Sequence, residues 1–403
     1  MKITKLSLAT IIALGSISFA NAQNLEDAIK NVEVSGTVAY RYNDYEESTA
    51  TGDGTGTHPR GNTDKSIGGD STNNYKAAIN LGVKVNDDVK FNSRLIAGNQ
   101  DNAGENSFNT QSTGDENFDV FLSEANFDYT GVQNTVITLG KQGVTTPFTL
   151  SRDSIGNEAT GTGLVATTHI GDVASLTGGY FNQTNFDNND GGLGTSAIDG
   201  SESFAYVTGT AAYAGVTLDA TYGELEDRFD AYSVGIKGDF TIDELILAPY
   251  ARYSSLDLDS TDDKNTLWKT GIQANLGIFG AYIAYGQTNE EGGTVGTDAS
   301  SDSGMDDHWR VTLSGISDAS AIYATVDTQV TDTVNVSLNY SEIDVGSKSN
   351  DIDQNEIYAQ VAYKMSKNLS TYARLGQLEK DGFYDDGSDL DSTIGRLHVQ
   401  YSF

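Results

Sequence analysis

Within the last eleven residues, 393–403, the run from Gly395 to Phe403 alternates in character. Phe403, Tyr401, Val399, Leu397 and Gly395 fall on one face of an extended chain, and Ser402, Gln400, His398 and Arg396 on the other. An oily face that runs out to an aromatic residue at the carboxy end, where soluble domains usually fray, fits a strand that closes a membrane barrel, apolar outside and polar inside. That pattern constrains the fold only if the rest of the chain repeats it.

The repeat begins near residue 32. Val34, Gly36, Val38, Tyr40 and Tyr42 share one face, with Ser35, Thr37, Ala39 and Arg41 on the other. Tyr75, Ala77, Ile79, Leu81, Val83 and Val85 then alternate with Lys76, Ala78, Asn80, Gly82 and Lys84. Asn86-Asp87-Asp88 is a tight turn into a returning segment, Val89 to Ala97. Tight turns recur at 130–134, 171–173, 214–215, 241–244, near 277, at 331–333 and at 365–368. Longer polar connections fill the alternate gaps. Counting from either end gives about eighteen strands, the even number that a bacterial single-chain barrel requires. The stretch Trp309 to Gly315 would break that number as a strand and is assigned to a long loop. The expected fold is all-β, a transmembrane antiparallel barrel with short periplasmic turns and long extracellular loops. Asp and Glu gather in those loops, and Tyr, with 21 copies against 2 of Trp, at strand ends, where a membrane interface places it.

The amino end has the plan of a secretory leader. Lys2 and Lys5 precede an apolar run from Leu6 to about Ala20, and Ala20-Asn21-Ala22 supplies the small residues of a cleavage site. Residues 1–22 are expected to be removed, leaving 23–403 as one barrel domain. The apolar run is short for an anchoring helix. Mean hydropathy is −0.38, which argues against a helical membrane protein but not against alternating strands, whose faces average out.

Charge and composition exclude several functions. A formal charge of −33 leaves no basic footprint for nucleic acid. The absence of Cys removes disulfides, a thiol nucleophile and zinc–thiolate sites. His58, His169, His308 and His398 are scattered, and no Gly-x-Ser-x-Gly elbow occurs, so the chain is not read as an enzyme. Barrels of about 16 to 18 strands enclose an aqueous channel, so the strand number itself points to a pore in the outer membrane.

Selectivity then rests on whatever narrows the lumen. The connection from Gly143 to about Thr168, third of the long ones, carries Pro147, Phe148 and Leu150, which a purely solvated loop would not favour. It is expected to fold into the lumen, presenting Arg152, Asp153 and Glu158 to solutes. Strand parity faces Arg41, Lys76, Arg94, Arg252, Arg374 and Arg396 inward, a basic wall opposite an acidic loop. The alternative for each base is a pairing with an inward acid such as Glu356. The loop near Thr288–Asp318 is expected to suit surface display.

Residues 24–42, with Leu25-Glu26-Asp27-Ala28-Ile29-Lys30, Val34-Ser35-Gly36 and Arg41-Tyr42, resemble the mature start of the major outer membrane porin family of Campylobacter-type bacteria. Leu139-Gly140-Lys141-Gln142 and the terminal Phe403 resemble it more loosely. The resemblance implies a homotrimeric general-diffusion porin for ions and small hydrophilic solutes, in outer-membrane lipid and lipopolysaccharide. It also implies an inward third loop, no required cofactor, acidic residues able to bind Ca2+, surface antigenicity and sometimes adhesion. The runs Asp187–Gly192 and Asp385–Asp389 do not fit the calcium-loop spacing and read as loop tips. A substrate-specific channel and a barrel that displays an adhesin are the competing readings.

Overall fold

The computed structural model describes residues 32–48, 71–98, 106–107, 119–186, 198–261, 263–383 and 387–403. The expected leader, His58, the run Asp187–Gly192 and the pair Asp385-Asp386 lie outside them.

Eighteen strands form the wall. The first nine are β1 (Val32–Ser48), β2 (Ser71–Lys84), β3 (Val89–Gly98), β4 (Asp119–Val132), β5 (Thr135–Gly143), β6 (Thr160–Ile170), β7 (Ala174–Thr184), β8 (Phe204–Tyr213) and β9 (Val216–Leu225). They continue as β10 (Phe229–Gly238), β11 (Leu245–Leu258), β12 (Lys264–Leu276), β13 (Phe279–Thr288) and β14 (Ala319–Thr331). The ring is completed by β15 (Val334–Val345), β16 (Gln354–Lys364), β17 (Leu369–Lys380) and β18 (Leu390–Ser402). Two further pieces are short. Asn106–Ser107 pairs with β2, and Phe240–Ile242 carries β10 onward along β11. The interruption between β10 and that continuation lies opposite Pro249, which has no N–H to give the ladder.

Each strand pairs antiparallel with the next, and β18 pairs with β1 from Thr37↔Ser402 to Ser48↔Asp391, so no edge is left open. The seam is finished by Gly36 and Phe403, whose backbone groups exchange hydrogen bonds of 2.9 and 3.0 Å. A closed ring satisfies every ladder inside hydrocarbon, where an unpaired N–H would cost several kcal/mol. The tight turns need left-handed backbone: φ is 58° at Asn134, 54° at Asp243, and positive at both Ala214 and Gly215, the combination that matches strand twist.

Strand parity is as the alternation predicts. Val38, Leu139, Leu164, Ile283, Val326, Leu338, Val361, Leu375 and Leu397 are exposed on the outer surface, where lipid covers them. The third-loop expectation needs correction at its far end. The loop is residues 144–159, and Thr160 to Thr168 belong to β6, where Gly161 and Gly163 lie in the wall. Gly163 marks a register shift against β7, with the Tyr180 carbonyl so close that a Cβ has no room.

The second correction is larger. The β13–β14 loop, residues 289–318, is not a display loop. It folds into the barrel and buries Val295, Met305, Trp309, Val311, Leu313 and Ile316 against wall residues that include Leu267, Tyr323, Ile343, Tyr358, Leu378 and Ile394. The β5–β6 loop buries Val144, Phe148 and Ala159 in a separate cluster with Phe181, Phe204, Leu225, Phe229 and Leu256.

The fold predicts that charge is tolerated by face. Ile283→Arg on the lipid side should destabilise the barrel by about 2–4 kcal/mol in denaturant titrations from vesicles, as for a base near the bilayer midplane. Thr217→Arg, on a lumen-facing position, should cost less than about 1 kcal/mol.

Candidate functional site: a lumen narrowed by two loops

The two inward loops meet. The Thr297 and Ser303 N–H groups donate to the carbonyls of Phe148 and Pro147, each at 2.7 Å, and the Thr297 hydroxyl adds a bond of 3.1 Å to Phe148. The loops spring from sites eight strands apart in the ring, so their join crosses the lumen.

Each loop has its own anchor. Glu158, fully buried, receives Lys76 Nζ at 2.9 Å and Arg94 through Nε and Nη2 at 2.9 and 2.6 Å. Lys76 also donates to the carbonyls of Asp153 and Gly156, at 3.0 and 2.8 Å, so a wall cation reaches both charge and backbone of the loop. Arg152, about half exposed, pairs with the buried Glu124 of β4. Asp153 caps its own turn by accepting from the N–H groups of Ile155 and Gly156, both at 2.8 Å. The sequence reading names Arg152, Asp153, Glu158, Lys76 and Arg94, and the fold brings all five together. Lys76, Arg94 and Glu158 form a closed cluster shielded from solvent.

The second anchor inverts the charges. Glu356 on β16 accepts the backbone N–H groups of Trp309 and Arg310, both at 2.9 Å, and the Ser341 hydroxyl at 3.0 Å. It therefore holds the loop rather than a wall arginine. Lys269 of β12 donates to the Gly304 carbonyl, and the Tyr323 hydroxyl serves Val311 at 3.0 Å. His308 spans Ser341 and Thr325, each at 3.1 Å, and stacks edge-on to Tyr323 and Tyr358. The sequence reading misses Trp309, His308 and Lys269 as lumen groups. The available signal is the one applied to the third loop, apolar residues inside a supposedly wet connection.

The remaining arginines divide. Arg252 is held in a two-pronged pair with Asp219 at 2.9 Å on both arms. Arg374 and Arg396 are direct cross-strand partners, and neither makes an ion pair among the described residues. Arg374 donates to Gln360 at 2.6 Å and Arg396 to Asn43 at 2.7 Å. Arg41 lies opposite His398, one step along the same inner face. Under the β5–β6 loop, a polar chamber of about 480 Å³ is lined by Asn80, Asn92, Asn126, Thr138 and the Glu124–Arg152 pair.

The resemblance implies calcium, but among the described residues no three acids or histidines gather as a metal site. No step is assigned to the ion.

A closed eighteen-strand barrel with a lipid-facing apolar surface and a lumen narrowed by inward loops defines a porin of the outer membrane, a channel rather than an enzyme. A profile described as "Campylobacter major outer membrane protein" matches residues 1–202, and the chain belongs to that family. A comparison with curated sequences found no relative. Solved structures share the fold at low identity. A BenF-like porin from Pseudomonas fluorescens Pf-5 aligns with a TM-score of 0.72 at 13% identity, over 93% of this chain and 99% of that one. Pseudomonas aeruginosa OpdQ aligns at 0.68 and 12%, over 93% and 99%. Pseudomonas aeruginosa OpdK with vanillate aligns at 0.69 and 11%, over 92% and 98%.

Two predictions follow from the anchors. Glu158→Gln leaves Lys76 and Arg94 buried without a full counter-charge, a loss of about 3–5 kcal/mol for a broken buried pair. The barrel should stay heat-modifiable on gels while its single-channel conductance rises and grows noisy. The second concerns acid. Burial pushes the His308 ring down to about 4, against 6.5 in water. The released loop takes up a proton first as pH falls, so the seat weakens below about pH 6.5 and the loss is complete below about pH 4. Asp306, raised by burial, acts in the opposite sense but is common to wild type and variant. The difference in unfolding temperature between wild type and His308→Asn should therefore shrink across this window.

Proposed function

We propose that this porin is a passive diffusion channel for ions and small hydrophilic solutes, whose charge preference is set by the arginines of β17 and β18. The observation that carries this reading is Arg374 facing Arg396 without an ion pair among the described residues. Elsewhere the candidate charges largely cancel. Lys76 and Arg94 share Glu158, Arg152 takes Glu124, and Arg252 takes Asp219. Positive charge that no direct ion pair among the described residues neutralises orients dipolar solutes in the lumen and favours anions there, while the acidic loops favour cations at the mouth. The family supports a homotrimer set in outer-membrane lipid and lipopolysaccharide, with calcium bridging acidic loops to that surface as a further part of the same reading.

Substrate specificity is the second reading. It is favoured by a lumen crossed by two joined loops rather than narrowed by one, and by the fold shared with OpdK, which was solved with vanillate.

Purified mature protein in a planar bilayer should give large, steady openings in steps of three. In a salt gradient, Arg374→Gln/Arg396→Gln should move the reversal potential toward cation preference relative to wild type. Silence from a folded, heat-modifiable barrel would remove the diffusion reading, and an unmoved potential would remove the role of the arginine pair.

A further inference from the structure

We propose that Arg374, Arg396 and Trp309 form a carboxylate-binding station on the inner wall, at which small organic acids pause as they cross. This rests on the porin reading and adds a ligand class to it. The two guanidiniums are directly opposite on adjacent strands, an arrangement that costs stability for like charges unless something offsets it. Each spends its Nε edge on a wall amide oxygen, Gln360 for Arg374 and Asn43 for Arg396. The terminal N–H groups of Arg374 have no acceptor among the described residues, and Arg396 adds only a long contact of 3.4 Å to the Tyr45 hydroxyl.

Trp309 supplies the independent observation. Both guanidiniums lie over its ring, 5.6 and 5.2 Å from the centroid. The ring is fixed by the Glu356 bond to its backbone and by edge-on contact with Tyr358 at 5.4 Å. Yet the indole Nε1–H, more than nine-tenths buried, meets no acceptor among the described residues. A buried donor left unpaired destabilises its site until an acceptor meets it. The chemistry collected here is donor-rich and acceptor-poor. Asp306 of the same loop is turned to the Ser300 hydroxyl at 2.7 Å and makes no ion pair with either arginine among the described residues.

A carboxylate answers these demands. Its planar pair of oxygens matches the guanidinium fork, and one oxygen can also accept from the indole. A tetrahedral phosphate brings more lone pairs and charge than the remaining donors match. No bond is made or broken, and the station works by residence alone.

Trp309 is also the reporter. The chain has two tryptophans, and Trp268 lies on the outer surface, so Trp268→Phe leaves the station as the only indole. The folded barrel in detergent should be titrated with sodium propionate against sodium chloride at constant ionic strength. Propionate should shift Trp309 emission saturably. Arg374→Gln and Arg396→Gln should each weaken the effect about tenfold, the loss of one charge-assisted contact. Arg374→Lys, which keeps the charge but not the fork, should fall between, and heat-modifiability on gels identifies which variants are folded. Unchanged emission in a barrel that conducts normally would overturn the station and leave the porin reading standing. Equal affinity in the folded Gln variants would overturn it too, as would phosphate acting at lower concentration than propionate. A propionate response in a barrel that forms no channel would uphold the station as a binding site and end the porin reading instead.

Discussion

Backbone polarity in hydrocarbon is the constraint from which the rest follows. No water reaches the outer wall to satisfy a stray N–H, so each strand needs a neighbour on both sides and the sheet must return to its start. The β18–β1 ladder and the Gly36–Phe403 exchange complete that return. Eighteen strands make a wide ring, too wide for wall side chains to fill. Narrowing falls to the loops, and a loop stays in a wet lumen only if bonds hold it there. The two buried anchors are therefore as much a product of closure as the wall is.

Those anchors solve one problem in two ways. The β5–β6 loop brings its own charge, Glu158, to cations on β2 and β3. The β13–β14 loop brings bare backbone, and the wall supplies Glu356 for its N–H groups and Lys269 for a carbonyl. Either arrangement buries ions that would be costly alone, and each meets them with hydrogen bonds between loop and wall. Apolar clusters beneath each loop then add the non-directional part of the adhesion.

The wall was legible because period-two alternation is a local property: each strand needs only its own residues to declare which side faces lipid. Parity likewise turned Arg41, Lys76, Arg94, Arg252, Arg374 and Arg396 inward. What parity does not carry is the identity of a partner across the lumen, since Glu158 is 64 residues from Arg94 and reaches it only through the loop's fold. The third loop's direction was readable from Phe148 and its neighbours. The same cue sat in Val295, Met305, Trp309, Val311 and Leu313, but without a period, and among Gly, Ser and Asp, it reads as exposed loop. The start of β6 is hidden because glycine is a poor strand former, and Gly161 and Gly163 read as loop, whereas Gly163 serves a bulge in the wall.

The join between the loops has a mechanical consequence. It is made mainly by main-chain amides and carbonyls, so side chains can drift over generations without undoing it. Its two ends are fastened to opposite arcs of the ring, as a tie-rod is fastened across a hoop. Flattening the hoop along that diameter slackens the tie, and stretching it pulls the tie taut. Any change in the shape of the ring along that diameter therefore bears on the join between the loops.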